Sequence, residues 1–178
     1  NISLSASKNI PSLFAKFNIS SNYGFGSSQT AVNGQMIEPH TRKASCDADI
    51  TFSSLSWLEL KYDCHFGWNR TTYADVRNEQ TSFGHNVELH IFPVDVLDFS
   101  LRYNYTRLEV SDNHFKQLSM LGASTQWKLK KEFVLRLELN NLLNQRHYAY
   151  TVFDGINTFS YDTYLCGRNV MLSVIVRI

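Results

Sequence analysis

The sequence predicts an all-β fold of the antiparallel up-and-down transmembrane β-barrel class, with eight to nine strands in one domain spanning residues 1–178. Three observations predict it. Apolar and polar residues alternate with period 2 along most of the chain, and helical periodicity is nearly absent. The alternating segments run about 10–14 residues, whereas globular strands average about 5–6 and a tilted membrane strand needs about 9–11. The connections alternate between short and long, as periplasmic turns and outer loops do in outer-membrane barrels.

The expected strands are 2–8, 13–25, 43–53, 57–67, 81–92, 96–109, 115–129, 132–153 and 163–178. The first is short: Ile2, Leu4 and Ala6 alternate with serines. In the hairpin from Ser45 to Phe66, Cys46, Ala48, Ile50 and Phe52 share a face with Leu58, Leu60, Tyr62, Cys64 and Phe66. Asp47, Asp49, Glu59, Lys61, Asp63 and His65 take the other. The next hairpin sets Phe83, Val87, Leu89 and Ile91 beside Leu97, Phe99, Leu101, Tyr103 and Tyr105, with Glu88, His90, Asp98, Ser100 and Arg102 opposite. A third places Leu121, Ala123 and Trp127 with Phe133, Leu135, Leu137 and Leu139. In the strand 132–153 the apolar parity slips between Leu139 and Tyr148, and a bulge near Asn140–His147 would account for it. The last strand carries Val170, Leu172, Val174, Val176 and Ile178 on one face. Short turns are expected at Asn9–Ser12, Ser53–Ser56, Pro93–Asp95 and Lys130–Lys131. Longer loops are expected at Gly26–Thr41, Trp68–Gln80, Ser111–His114 and Asp154–Asp162.

Composition agrees. No run of about 18 apolar residues occurs, so no helix spans a membrane, a test that a barrel evades. Seventeen basic residues balance sixteen acidic ones, which leaves no nucleic-acid footprint. Nine Tyr and twelve Phe against three Pro favour strands. A soluble sandwich also alternates. Lipid is favoured by heavily polar inward faces and by two aromatic belts. One belt is Tyr23, Tyr103, Tyr105, Tyr148, Tyr150 and Tyr164; the other is Trp57, Trp127 and Phe133. A free-standing bacterial barrel has an even strand number. Nine strands therefore imply further strands before Asn1, and loss of the weak first strand leaves a small eight-stranded barrel.

Two runs resemble a known family. Leu137-Glu138-Leu139-Asn140-Asn141-Leu142-Leu143-Asn144-Gln145-Arg146-His147-Tyr148 is similar to the penultimate-strand signature of TonB-dependent outer-membrane receptors. There an Asn-Leu-(Phe/Leu)-Asn/Asp run precedes a basic residue and an aromatic. Gly167–Ile178 resembles the closing strand of that family, in the style of Bacteroidota receptors, with Ile178 where an aromatic usually ends the chain. The resemblance implies a 22-stranded barrel with a plugged lumen in the bacterial outer membrane. This chain would supply roughly the last nine strands, and the rest of the barrel and the plug would lie upstream. It implies uptake of a nutrient ligand (siderophore, glycan or peptide) and several partners: outer-membrane lipid, the TonB complex through the N-terminal part, and a surface lipoprotein. No enzyme, cofactor or metal is expected. The alternatives are a complete eight-stranded barrel with a structural or adhesive role, and an outer-membrane hydrolase.

Candidate chemistry is sparse. Hairpin centring pairs His90 with Asp98, with Ser100 two residues on, which spells a hydrolase triad. Asp98 and Ser100 share one strand about 7 Å apart, so a lumenal charge pair is the simpler expectation. Asp49 and Lys61 pair likewise. Six histidines (His40, His65, His85, His90, His114 and His147) lack metal-ligand spacing. Cys46 and Cys64 fall opposite each other if the hairpin centres on Leu55; they are either small apolar residues or a cross-strand disulfide, and Cys166 leaves the count odd. The long loops hold Trp68, Arg70, Tyr73, Arg77, Phe153, Asp154, Asn157, Phe159 and Tyr161. In the family such loops shape an outer vestibule, and no binding, catalytic or metal residue is assigned.

Overall fold

The structure, a computed structural model, describes residues 1–32, 34–111, 114–130, 132–154 and 157–176. They form one nine-stranded antiparallel sheet and two small ribbons. In chain order the strands are β1 (Ile2–Ile10), β2 (Ala15–Ser27), β3 (Thr30–Val32), β4 (Gln35–Ile37), β5 (His40–Leu55), β6 (Leu58–Tyr73), β7 (Val76–Val94), β8 (Leu97–Ser111), β9 (His114–Lys128), β10 (Phe133–Asn140), β11 (His147–Asp154), β12 (Asn157–Tyr164) and β13 (Asn169–Val176). The sheet order is β1-β2-β5-β6-β7-β8-β9-β10-β13. β3 pairs β4 and β11 pairs β12, each pair lying between consecutive sheet strands. The weak first segment is thus a full strand, paired with β2 from Ile2↔Tyr23 to Ile10↔Ala15.

Register sorts the two faces. One cross-strand row reads Ile10, Ala15, Phe52, Leu60, Leu89, Leu101, Ala123, Leu139 and Val170, apolar on all nine strands. The adjoining row reads Asn9, Lys16, Thr51, Lys61, Glu88 and Arg102, polar throughout. Side chains in a strand alternate between faces, so every neighbouring row switches sides together. The polar face ties itself into pairs: Arg102 to Glu88 at 2.6 Å, His65 to Asp47 at 2.6 Å, and Ser100 to Ser124 at 2.7 Å. The apolar face is exposed, with Phe66, Leu101, Val170, Leu172 and Val174 between 43 % and 67 % accessible. Val134 is the one hydrophobic residue buried among those described.

Several expectations need correction. β6 and β7 run on to Tyr73 and from Val76, so Trp68–Gln80 is extended sheet with a tight turn at Ala74-Asp75. Part of Asp154–Asp162 is strand β12. In the loop Ser111–His114, Asp112 and Asn113 lie outside the described residues, as do Lys131 of the expected short turn and Ile178 of the last strand. The segment 132–153 is two strands: the chain leaves the sheet after Asn140 and starts β11 at His147. No bulge carries one strand through. Tyr148, Tyr150 and Tyr164 therefore sit on the separate ribbon β11–β12, outside any belt of the sheet.

Three cross-strand pairings share one error. Cys46 faces Phe66 and Cys64 faces Ala48; both thiols are free. Asp49 faces Asp63, and Lys61 instead contacts Glu59 at 2.9 Å. His90 faces Ser100, with Asp98 on the diagonal at 3.7 Å. Each true register is two residues from the expected one, because irregularities at Phe52/Leu55 and Ile91/Val94 displace the turns. A two-residue slip keeps every side chain on its face, so alternation cannot detect it.

Candidate ligand site under an inward hairpin

Three asparagines turn the chain out of the sheet. Asn141 and Asn144 have φ of 52° and 58°, the left-handed region that Asn tolerates better than most residues. Asn141 is 4 % exposed. Its Nδ2 donates to the carbonyls of Gln145 (2.6 Å) and Cys166 (2.7 Å), and its Oδ1 accepts from the Gln145 amide at 2.9 Å. Arg168 Nε donates to the Leu142 carbonyl at 2.8 Å, and Asn140 bonds Asn169 at 3.1 Å. The two ends of the excursion are thereby knotted together. The run that carried the family resemblance is, in this chain, a structural knuckle.

The excursion itself is the β11–β12 hairpin. His147 meets Asp162 at 2.5 Å, and Tyr150 stacks on Tyr161 with centroids 4.8 Å apart. It lies against the polar face. Gln80, 8 % exposed and on that face of β7, donates its amide to the Thr151 carbonyl at 3.0 Å and the Glu109 carbonyl at 2.7 Å. Gln80 thus ties the sheet to the hairpin.

Beneath it lies a cavity of about 740 Å³. Its floor follows from register: Asn22, Ser45, Gly67 and Ser82 fill one cross-strand row, and three of the four are small. A Cβ on Gly67 would lie 2.5 Å from Ser82 Oγ, so a larger residue there would make the serine hydroxyl turn away and would fill part of the floor. Lys43, Asn69 and Gln80 come from the next row on the same face, two residues along, and Phe159 and Tyr161 from the hairpin. No carboxylate lines the cavity among the described residues, and Lys43 is its charged side chain. The chemistry available includes hydrogen bonding by hydroxyls and amides beside two aromatic rings, which can orient a polar ligand.

The sequence-derived candidates are dispersed. Phe159 and Tyr161 reach the cavity. Trp68 also borders the cavity, but with Arg70 and Arg77 it gathers around Glu79 at the end of the apolar face next to the Ala74-Asp75 turn. Glu79 accepts from Arg77, from Trp68 Nε1 at 2.7 Å and from Arg70 Nε at 3.2 Å. These bonds, that from Arg77 foremost, lower its pKa to about 2. Tyr73 ends β6, and the side chains of Phe153, Asp154 and Asn157 lie outside the described residues. Ser100 Oγ is bonded to Ser124, which leaves His90, Asp98 and Ser100 without the serine–histidine contact of a triad. No three His, Cys, Asp or Glu cluster as metal ligands among the described residues. Gln80, Gly67 and Asn141 carry the site's architecture; of these only Asn141 falls within a motif read from the sequence, inside the family-like run and the expected bulge. The Asn-Asn pair was the available signal for a left-handed turn; Gly67 and Gln80 had none without register. No protein-family model, no curated protein and no solved structure matches the chain.

Proposed function

We propose that this chain is a membrane-spanning portion of an outer-membrane β-barrel, of the TonB-dependent receptor type, in which the inward hairpin and its cavity lie on the path of an imported ligand. One observation carries the membrane role. Along the middle of its strands the sheet carries an unbroken apolar row, half-exposed to exposed, while the opposite face at that level holds charges and hydrogen bonds. Soluble monomers rarely expose contiguous apolar patches beyond a few hundred Å². A lipid-facing barrel wall has this polarity. The strand lengths support the same role, with β5–β9 at 15 to 19 residues. β1 and β13 are the sheet's edges, and further strands would pair with them. The receptor assignment is supported by the resemblance at Asn140–Tyr148 and Gly167–Ile178, and by a hairpin that enters the polar side, where a transported ligand would pass.

Single cysteines placed in the intact protein in cells test the membrane role, in a background lacking Cys46, Cys64 and Cys166. Positions Leu60, Leu89 and Leu101 should resist a water-soluble maleimide and react with a lipid-soluble one. Asp63, Glu88 and Ser100 should react with the water-soluble reagent. Equal labelling of both sets would overturn it. The receptor role predicts a plug domain and TonB-coupling segment encoded upstream of Asn1. A signal peptide abutting Asn1 would replace it with the small-barrel alternative.

A further inference from the structure

The apolar face does not stay apolar to the ends of its strands. On β5 it passes from Ala48, Cys46 and Ala44 to Arg42; on β6 from Tyr62, Cys64, Phe66 and Trp68 to Arg70. On β7 it passes from Phe83 to Glu79 and Arg77, and on β8 from Tyr103 and Tyr105 to Arg107. Four neighbouring strands thus carry an arginine near the end of this face, with His40, Thr72 and Glu109 beyond it on β5, β6 and β8, and Glu109 accepts from Thr81. Arg42 stands directly across from Arg70 in the ladder. Like charges placed so are destabilising unless an anion lies between them. Glu79 is shared between Arg70 and Arg77 through one oxygen, while its other takes Trp68. Arg42 is exposed and has no acidic partner among the described residues. Arg70 also lies 5.2 Å from the centroid of Trp68, and Arg107 lies 3.8 Å from that of Phe115. Arg70 thus rests on a tryptophan, an aromatic that a membrane interface favours.

We infer that Arg42 and Arg70 together bind a phosphate of an outer-leaflet lipid headgroup at the upper margin of the apolar face. The site rests on the membrane-spanning role proposed above. Arg42 offers phosphate two parallel N–H donors, and Arg70, whose Nε side faces Glu79, offers those at the far end of its guanidinium. The lipid source, as against a dissolved anion, follows from position: the pair continues the face whose next rows are aromatic and then aliphatic, where a headgroup meets its acyl chains.

The test uses the full-length protein in phosphatidylcholine vesicles containing phosphorylated lipid A, dephosphorylated lipid A or neither. Co-purified lipid is quantified by mass spectrometry, and the thermal transition is followed by heat-modifiable gel mobility. Wild type should retain phosphorylated lipid A about tenfold over the dephosphorylated form, at roughly one decade per charge-assisted contact. Its transition should rise with that lipid alone. Arg42→Gln should lose the preference and the rise, yet melt no lower than wild type in plain phosphatidylcholine, because it relieves the Arg42–Arg70 opposition. Arg42→Lys should keep part of the preference. Equal retention of both lipids, or a preference unchanged in Arg42→Gln, would overturn the site. So would inorganic phosphate at millimolar concentration reproducing the rise without lipid A. Failure to insert into any vesicle would overturn the membrane role and the site with it; insertion without phosphate preference would overturn the site alone.

Discussion

Glu79 and Asn141 concentrate more hydrogen bonds than any sequence pattern around them advertises. The Glu79 carboxylate, held near pKa 2 chiefly by Arg77 and then by Trp68 and Arg70, is depressed from about 4.5. A depressed carboxylate contributes stability that is fully present above its unfolded pKa and lost as pH falls through the folded one. The local clamp should therefore persist at pH 5 and dissolve between about 4.5 and 2. Trp68 fluorescence, read in a background lacking Trp57 and Trp127, should report that transition, and Glu79→Gln should abolish it. A midpoint near 4.5 would show that the clamp does not form. Asn141→Ala should cost about 2–4 kcal/mol, since it leaves buried backbone groups unpaired and forces alanine into the left-handed region. Asn141→Gly should recover roughly 1 kcal/mol of that backbone cost. Urea unfolding in micelles measures both, and a loss under about 0.5 kcal/mol for the alanine variant would be inconsistent with the knuckle.

At the scale of elements, the hairpin β11–β12 is attached more lightly than the sheet strands are to one another. Gln80 ties the hairpin's backbone to β7 and β8. Gln80→Ala removes both bonds and leaves two carbonyls to water or vacancy, a loss of about 1–3 kcal/mol. Hydrogen exchange of β11 and β12 amides should then quicken about tenfold or more, while β5–β8 amides stay slow. Uniform acceleration across the sheet would contradict a hairpin that opens by itself. Strand existence was legible at this scale: period 2 placed all nine sheet strands, including the short Ile2–Ile10. Register was not. Cys46, Asp49 and His90 were each paired two residues away from their true partners, because alternation is blind to an even slip and the turn irregularities are set by backbone geometry. The parity change before Tyr148 was visible, but a bulge and a chain leaving the sheet produce the same change of phase.

For the whole molecule, the exposed apolar face and the two edge strands dominate behaviour in water. β13 leaves Val170, Leu172 and Val174 at 64 % to 67 % exposure, and β1 leaves Leu4 at 72 %. Unpaired edges beside apolar surface template association. The isolated 178-residue chain should aggregate in aqueous buffer and stay dispersed, strand-rich and slow to exchange in micelles. Sedimentation and circular dichroism read both states. A monodisperse monomer in plain buffer with a cooperative thermal transition would contradict a lipid-facing sheet.

The sequence by itself determined the all-β class, the places of the nine sheet strands but not of the β11–β12 ribbon, and which residues of those strands share each face. All three follow from the two-residue repeat of a strand, which is local. Only the tertiary structure decided which residues meet. The cavity depends on Ser45, Gly67 and Ser82 coming side by side, the hairpin's seat on Gln80 reaching Thr151, and the arginine opposition on Arg42 facing Arg70. Those contacts depend on register and on the turn taken at Asn141. Both are set by hydrogen bonds between segments distant in sequence, and a periodic pattern carries no record of them.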